Sequence, residues 1–118
     1  MSSFTAPATI DHLLTEAEKG QLYQKLIEQL NKDFNFANEA IDLPLSILPE
    51  ELKSALHDKI YRLIQYKFAE YLNLLYIIDV PEEQVKQLDG TDIFEMSHQV
   101  AFLVLKREWM KVWFRNNY

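Results

Sequence analysis

The stretch that decides the fold runs from Pro49 to Ile78 and reads PEELKSALHDKIYRLIQYKFAEYLNLLYII. Its start is typical of a helix N-terminus, because the missing proline N–H costs nothing there and Glu50 and Glu51 face the positive end of the helix dipole. No glycine or further proline follows, so the pattern predicts one helix of about 45 Å. The residues that form its apolar face recur at helical spacing: Leu52, Leu56, Ile60, Leu63, Ile64, Phe68, Tyr71, Leu75 and Ile78.

The second half of this helix, residues 71–78, is apolar on almost every side. A helix that is apolar all round is usually buried, because it has no polar face to turn to water. The sequence therefore predicts that this segment is a central helix, contacted from several directions.

An earlier helix is predicted upstream. Thr15 and Glu18 have the spacing of a capping box, in which each side chain satisfies a backbone N–H of the first turn. An apolar stripe then continues to Phe34. Gly20 would cost this helix about 1 kcal/mol relative to alanine. It alternatively marks the end of a separate short helix that starts after Thr9, and the sequence leaves both boundaries open.

A long connection is predicted at residues 35–48, where Leu43, Leu45 and Ile47 alternate with a proline and a serine. Connections between bundle helices are commonly about 2–8 residues long. One interpretation is a dedicated binding loop. We favour a crossover that packs its apolar side on the bundle, because burying apolar side chains requires no ligand.

Two further helices complete the chain. Pro81 with two following glutamates starts a short helix that Gly90 stops, and Thr91 or Asp92 caps a final helix reaching close to the C-terminus. The sequence therefore predicts an all-α protein, a compact bundle of three long helices plus one short helix, with a long crossover between the first and second helices. Residues 1–8 are expected to be a disordered lead and residues 9–118 a single helical domain.

Composition narrows the class of protein. The 118 residues are 48% apolar and 25% charged, as in ordinary soluble domains, and two glycines with four prolines argue against a turn-rich β fold. The chain has no cysteine, which excludes disulfides and thiolate chemistry. We expect a cytoplasmic protein, since the sequence contains neither a membrane-length apolar run nor a signal peptide pattern. A net charge of −6 argues against nucleic-acid binding.

The end of the chain reverses this charge, because residues 106–118 carry four basic side chains and one acidic side chain. A helix there would place three of the basic residues, Arg107, Lys111 and Arg115, in one row and the aromatic residues on the other side. Three interpretations follow: core packing, which we favour, a protein-binding surface, and a membrane-surface helix. The candidate partner-binding residues are Arg107, Trp109, Lys111, Trp113, Phe114, Arg115 and Tyr118.

Glu95 and His98 have the Glu-x-x-His spacing of di-metal carboxylate bundles. Such a centre needs that spacing twice, with further glutamates from the other helices, and Glu70 is a candidate for one of them. The second histidine is missing from the pattern, so we expect no metal and no other cofactor. Lys67 interrupts the apolar face of the long helix, and we expect it to pair with Glu70 or with an acid on a neighbouring helix.

Other catalytic patterns are absent from the sequence. None of the serines lies in a Gly-flanked nucleophile elbow, and Ser97 and His98 would point about 100° apart on a helix. With two glycines, the chain has no phosphate-binding loop. The segment from Asp33 resembles the start of a calcium loop but has Pro44 at the twelfth position.

The sequence therefore favours a non-enzymatic helical protein with a structural or protein-interaction role. Fifteen aromatic residues and a long, largely apolar helix are more than a small bundle easily hides, so we expect a homodimer or a complex with another protein. A metal-dependent bundle enzyme and a peripheral membrane-surface protein are the alternatives.

Overall fold

The computed structural model describes residues 3–118, and every regular element in that range is an α-helix. This confirms the predicted all-α class and the compact helical bundle. Within residues 3–118 the bundle has six helices, two more than expected, because two of the predicted helices are divided. The helices are α1 Ile10–Lys19, α2 Tyr23–Phe36, α3 Pro49–Tyr66, α4 Phe68–Ile78, α5 Glu82–Lys86 and α6 Ile93–Asn117.

The first division follows Gly20, which ends α1 as a separate short helix. The N-cap of α1 is Thr9, whose hydroxyl accepts a hydrogen bond from the His12 N–H at 3.1 Å. Thr15 is therefore not a helix start, and its hydroxyl donates to the Asp11 carbonyl within α1 instead. The sequence left two starts of the first helix open, at Thr15 and after Thr9, and the structure has the start after Thr9.

The connection between α2 and α3 packs on the bundle, as the crossover interpretation requires. Asn31 of α2 holds it by two hydrogen bonds to the backbone of Leu43, at 2.8 and 2.9 Å. The Tyr23 hydroxyl donates to the Ile47 carbonyl at 2.6 Å. Leu43 and Ile47 are buried, whereas Leu45 points to solvent.

The second division separates α3 from α4 at Lys67, whose backbone leaves the helical region with φ −142° and ψ 60°. The predicted continuous helix over residues 49–78 is therefore wrong. A tertiary interaction lies at this break. Glu39 of the crossover is buried, and its carboxylate forms ion pairs with Lys59 at 3.1 Å and Lys67 at 3.0 Å. Burial would raise the pKa of Glu39, but the hydrogen bonds from Lys67 and Lys59 outweigh it and lower that pKa. Lys67 thus pairs with Glu39 rather than with Glu70.

The last three helices follow local signals. Asp79 ends α4 in the left-handed conformation with φ 69°, which aspartate tolerates better than most residues. Pro81 precedes the short helix α5, as predicted. Asp92 caps α6 by accepting a hydrogen bond from the Glu95 N–H at 3.1 Å.

Helix α6 lies at the centre of the bundle and packs against α1, α2, α3 and α4. At 25 residues it is about 37 Å long, so it reaches along the whole core. Val100, Ala101, Val104 and Leu105 of its middle are buried, which agrees with the core role expected for this helix. The Cα radius of gyration is 13.6 Å, close to the roughly 13.5 Å of compact domains of this length.

The predicted boundary between a disordered lead and a helical domain stays a prediction. Met1 and Ser2 lie outside the described residues. Residues 3–9 form no helix, but Pro7 is buried and the Phe4 ring packs against Trp113 with 5.4 Å between ring centroids.

Candidate interaction surface

The basic row of α6 faces acids and amides of its own chain. Arg107 pairs with Asp79 at 3.0 Å, and its Nε also donates to the Asp79 carbonyl. Lys111 lies 2.8 Å from Asp33 Oδ2, and Arg115 donates to the Gln29 side chain at 2.9 Å. The row therefore joins α6 to α2 and to the end of α4, and its charges are largely occupied within the molecule.

The aromatic residues near the C-terminus divide into core and surface. Trp109 is buried, and within residues 3–118 its Nε1 has no hydrogen-bond partner. Trp113 is half-buried, while Phe114 and Tyr118 are exposed and stack on each other with 5.6 Å between ring centroids. Of the residues proposed from sequence as partner-binding, these two aromatic rings lie farthest out. A partner role for this end of α6 stays a prediction.

A buried carboxyl pair lies beneath the basic row. Glu108 of α6 is 0% exposed, and burial, followed by the neighbouring Asp33 of α2, raises its pKa to about 9. Burial would also raise the pKa of Asp33, but hydrogen bonds from Glu108, Lys111 and Gln29 lower it instead. At neutral pH the pair therefore holds one proton on Glu108 and one negative charge on Asp33, which Lys111 neutralises.

The burial of this carboxyl pair favours a structural role over a catalytic one. Lys111 Nζ lies 3.0 Å from Glu108 Oε1, but neither carboxyl oxygen of Glu108 accepts a hydrogen bond of good geometry from residues 3–118. A general acid must reach the atom that it protonates. Because Glu108 is sealed inside the bundle, no substrate touches it, and the pair ties α2 to α6.

A histidine stack joins α3 to the start of α6. The rings of His57 and His98 are 3.5 Å apart between centroids and nearly parallel, and the exposed ring of Phe94 packs edge-on against both. Partial burial lowers the pKa of His98, the neighbouring His57 lowers it further, and Glu95 opposes the change. Two positive charges in contact would repel each other, which is why the neighbouring His57 contributes to the lowered pKa of His98.

Ser97 approaches His57 but is not arranged as a nucleophile. Its hydroxyl donates to the Phe94 carbonyl at 2.8 Å, and His57 Nε2 lies 3.0 Å from the hydroxyl oxygen. Because the hydroxyl proton is given to the carbonyl, Nε2 of His57 serves as the donor to Ser97. Ser97 is fully buried, so this contact fastens α6 to α3. The contact of Ser97 with His57, 40 residues apart in the chain, was not predicted from the sequence.

The candidate metal ligands do not converge. Glu95 and His98 lie on α6 and Glu70 lies on α4, all three largely exposed. Within residues 3–118, no group of three or more histidine, aspartate or glutamate side chains is placed to hold a metal ion. The described geometry gives the di-metal alternative no support.

An unexplained apolar surface lies on α4. Phe68, Leu72 and Tyr76 are 53%, 50% and 82% exposed, and their spacing of four residues places them in one line along the helix. We call these three residues the α4 row. The opposite side of the helix, represented by Tyr71, Leu74 and Ile78, is buried in the core. The predicted central helix thus contacts the bundle on one side only.

A groove runs beside the α4 row, between α4 and the segment that carries α5. Its volume is about 600 Å³, and apolar side chains form most of its walls. The walls comprise Leu72, Leu75, Tyr76, Val80, Pro81 and Val85. The charged residues at its rim are Asp79, Glu82 and Lys86. Row and groove together form an apolar surface on one side of the molecule.

This surface was not predicted from the sequence, because residues 49–78 read as one continuous helix. In a continuous helix Phe68 follows Ile60 and Ile64 in a row, and both of those residues are buried. The backbone leaves the helical region at Lys67, and Phe68 after it begins an exposed row instead. The available signal was the i, i+4, i+8 spacing of the α4 row itself.

Comparison with protein families, with curated proteins and with solved structures finds no match to this chain. Among residues 3–118, no helix combines the length and apolarity that crossing a membrane requires.

Proposed function

We propose that this chain is a non-enzymatic interaction protein, which binds another polypeptide through the α4 row and the adjoining groove. The observation that carries the proposal is the exposure of three large apolar side chains in one line. Single exposed apolar residues are common on soluble proteins, but a contiguous patch marks a binding surface. We propose a cytoplasmic setting, which the lack of cysteine fits.

Charge distribution supports the same surface. Glu70 is the only charged residue in α4. The exposed positions beside the α4 row are Ala69 and Asn73, which are small and uncharged. Interface cores are depleted in charged residues and enriched in aromatic ones, and the α4 row with two aromatic rings has that character. A helix that served only to pack on its own core would expose polar residues here.

The enzyme and membrane alternatives have less support. The one strongly shifted carboxyl, Glu108, is sealed in the core, and the candidate metal ligands do not converge. Membrane binding through the C-terminal helix needs free basic side chains, but Arg107, Lys111 and Arg115 are held by Asp79, Asp33 and Gln29.

Photo-crosslinking in the cells that make the protein tests the proposal. A photoreactive p-benzoylphenylalanine replaces Tyr76, and we expect a crosslinked species on illumination. The species should disappear when Leu72→Asp is added, because a charge in the centre of an apolar interface must be desolvated on binding. The same probe in place of Glu28, an exposed residue on α2, is the matched control and should give no species.

A probe in place of Tyr118 tests the C-terminal surface that the sequence suggested. A crosslinked species from position 118 and none from position 76 would indicate that the binding surface lies at the end of α6 instead. No species from either position would contradict the proposed function.

A further inference from the structure

We infer that the polypeptide bound by the α4 row is a second copy of this chain, packed antiparallel across a two-fold axis at Leu72. The inference rests on the proposed function and names its partner. Four features support it: the relief of the helix surface, its symmetry, its charge and its area.

The ridge and furrow on the surface of α4 suit packing against an identical helix. The α4 row forms a ridge of side chains four residues apart, about 12 Å from Phe68 to Tyr76. Ala69 and Asn73 lie directly beside it and form a shallow furrow. When such ridges of two helices interlock, each ridge fills the furrow of the other, at a crossing angle of about −50°. One helix therefore carries both halves of the contact.

The order of the side chains matches two-fold symmetry. In a symmetric dimer, residue i of one copy contacts residue j of the other, and j contacts i. Leu72 is the midpoint of the α4 row and has an aromatic residue four positions away on either side. An antiparallel crossing at Leu72 brings Leu72 against its own copy and Phe68 against Tyr76 of the other copy. In a parallel arrangement, Phe68 would instead lie against Phe68, and Tyr76 against Tyr76, of the other copy.

The charges at the rim of the surface favour an identical partner over a charged one. Asp79 is paired with Arg107 at 3.0 Å, and Glu82 with Lys86 at 3.3 Å. The surface is therefore close to neutral, and two copies meet without local repulsion although each carries a net charge of −6. A strongly acidic or basic partner would find no unpaired countercharge at this rim.

The exposed area sets the strength of the dimer. A whole aromatic side chain has a surface of roughly 150–250 Å². With the exposed fractions of its three residues, the α4 row of one copy exposes about 350 Å² of side-chain surface. Two rows bury about 700 Å², which is less than the roughly 1,200 Å² of a stable interface. The walls of the groove must supply the remainder. The dimer is therefore weak and dissociates on dilution through the micromolar range.

Light scattering across a concentration series measures this dimer in the purified chain. We expect the mass to rise from 14.0 kDa toward twice that value. Leu72→Asp should raise the dissociation constant by at least about 30-fold, as for a central interface residue. Leu45→Asp is the control, since Leu45 has a similar exposure of 42% but lies in the crossover, and it should leave the mass unchanged. Circular dichroism verifies that both variants are folded.

Disulfide trapping tests the geometry, and the absence of native cysteine makes it clean. Under mild oxidation Leu72→Cys should form a dimer with itself. A mixture of Phe68→Cys and Tyr76→Cys chains, distinguished by a tag, should form the mixed disulfide more than either like pair. An excess of the like pairs would overturn the antiparallel arrangement.

The outcomes separate the inference from the proposed function. A chain that stays at 14.0 kDa up to about 200 µM overturns the dimer. A crosslinked species from position 76 whose mass is not twice that of the chain would then leave the proposed function standing with a different partner. A dimer that Leu72→Asp does not weaken also overturns the inference, because it forms through another surface.

Discussion

Lys111 of α6 lies 2.8 Å from Asp33 of α2, and this ion pair is the centre of a polar cluster between the two helices. The side chain of Lys111 is 18% exposed and that of Asp33 is 11% exposed, so water screens the pair only partly. Glu108 next to them holds a proton because burial, and after it the neighbouring Asp33, raises its pKa. The predictions for this cluster follow from that arrangement of charges.

Glu108→Gln should stabilise the protein at neutral and alkaline pH. The pKa of Glu108 is raised from 4.5 to about 9 on folding, mainly by burial. Between these pH values the folded chain binds a proton that the unfolded chain has lost, so the contribution of Glu108 to stability falls as pH rises. Glutamine removes this titration and can still donate to Asp33, so we expect a gain of about 1–3 kcal/mol at pH 8 and little gain at pH 4. Urea unfolding at both pH values measures it.

The control for this variant is Glu95→Gln, an exposed glutamate on the same helix. It should leave the pH dependence of the unfolding free energy unchanged. An equal effect of both substitutions would contradict the proton assigned to Glu108.

Lys111→Met should destabilise the protein, because Asp33 would keep its charge in a partly buried site without a cation. Removing one partner of a buried ion pair costs several kcal/mol, and the residual exposure of Lys111 reduces this to about 2–4 kcal/mol. Chemical unfolding at pH 7 measures the loss. Lys25→Met, at an exposed position of α2, is the matched control and should change the stability by less than about 0.5 kcal/mol. Adding Asp33→Asn should recover part of the loss, and full additivity of the two costs would argue against the pair.

His57→Phe should raise the pKa of His98. The pKa of His98 lies below 6.5 because of its burial and of the neighbouring His57. Phenylalanine preserves the stacking but removes the charge of the neighbour, so the midpoint for His98 should move toward 6.5. A proton NMR titration of the imidazole signals measures it. A midpoint that is unchanged or lower would show that the two rings are not electrostatically coupled in solution.

Glu39→Gln should destabilise the crossover and the junction between α3 and α4. Glu39 accepts hydrogen bonds from Lys59 and Lys67, and charged hydrogen bonds of this type contribute about 1.5–3 kcal/mol before screening at the partly exposed lysines. We expect a loss of about 1–2 kcal/mol at pH 7. The pKa of Glu39 is lowered below 4.5 on folding, so its contribution is present above that pH and is lost as pH falls further.

Unfolding measurements at pH 7 and pH 3 check this prediction, with Glu28→Gln as the exposed control. The difference between Glu39→Gln and the unmodified chain should shrink at pH 3. A difference that grows at low pH would contradict the assigned role.

Local signals predicted some helix boundaries. Pro49 was read correctly as a helix start, and Asp92 was one of the two candidates for the cap of α6, because a cap depends on residues within one turn. Thr15 was misread, since the same residue type caps a helix or bonds a carbonyl inside it, depending on where the preceding turn begins. Thr9, six residues earlier, had already started α1.

The break at Lys67 was beyond local signals. Lys67 is a good helix former, but its ammonium group bonds Glu39, which lies 28 residues earlier in the chain. Likewise, Lys111 meets Asp33 across 78 residues. Such contacts depend on how the helices pack in three dimensions, and local patterns in a single sequence do not predict that packing. Phe68 was placed on the apolar face of one continuous helix because the break at Lys67 was not predicted.

The central position of α6 also determines when the fold can form. Helix α6 is synthesised after the other five helices, and α1, α2, α3 and α4 all pack against it. A nascent chain that ends before residue 93 therefore exposes the apolar faces of these helices together. Contacts between segments far apart in sequence slow folding, so this bundle should fold more slowly than one built from neighbouring helices. Until α6 has been made, the earlier helices depend on chaperones or on one another to stay unaggregated.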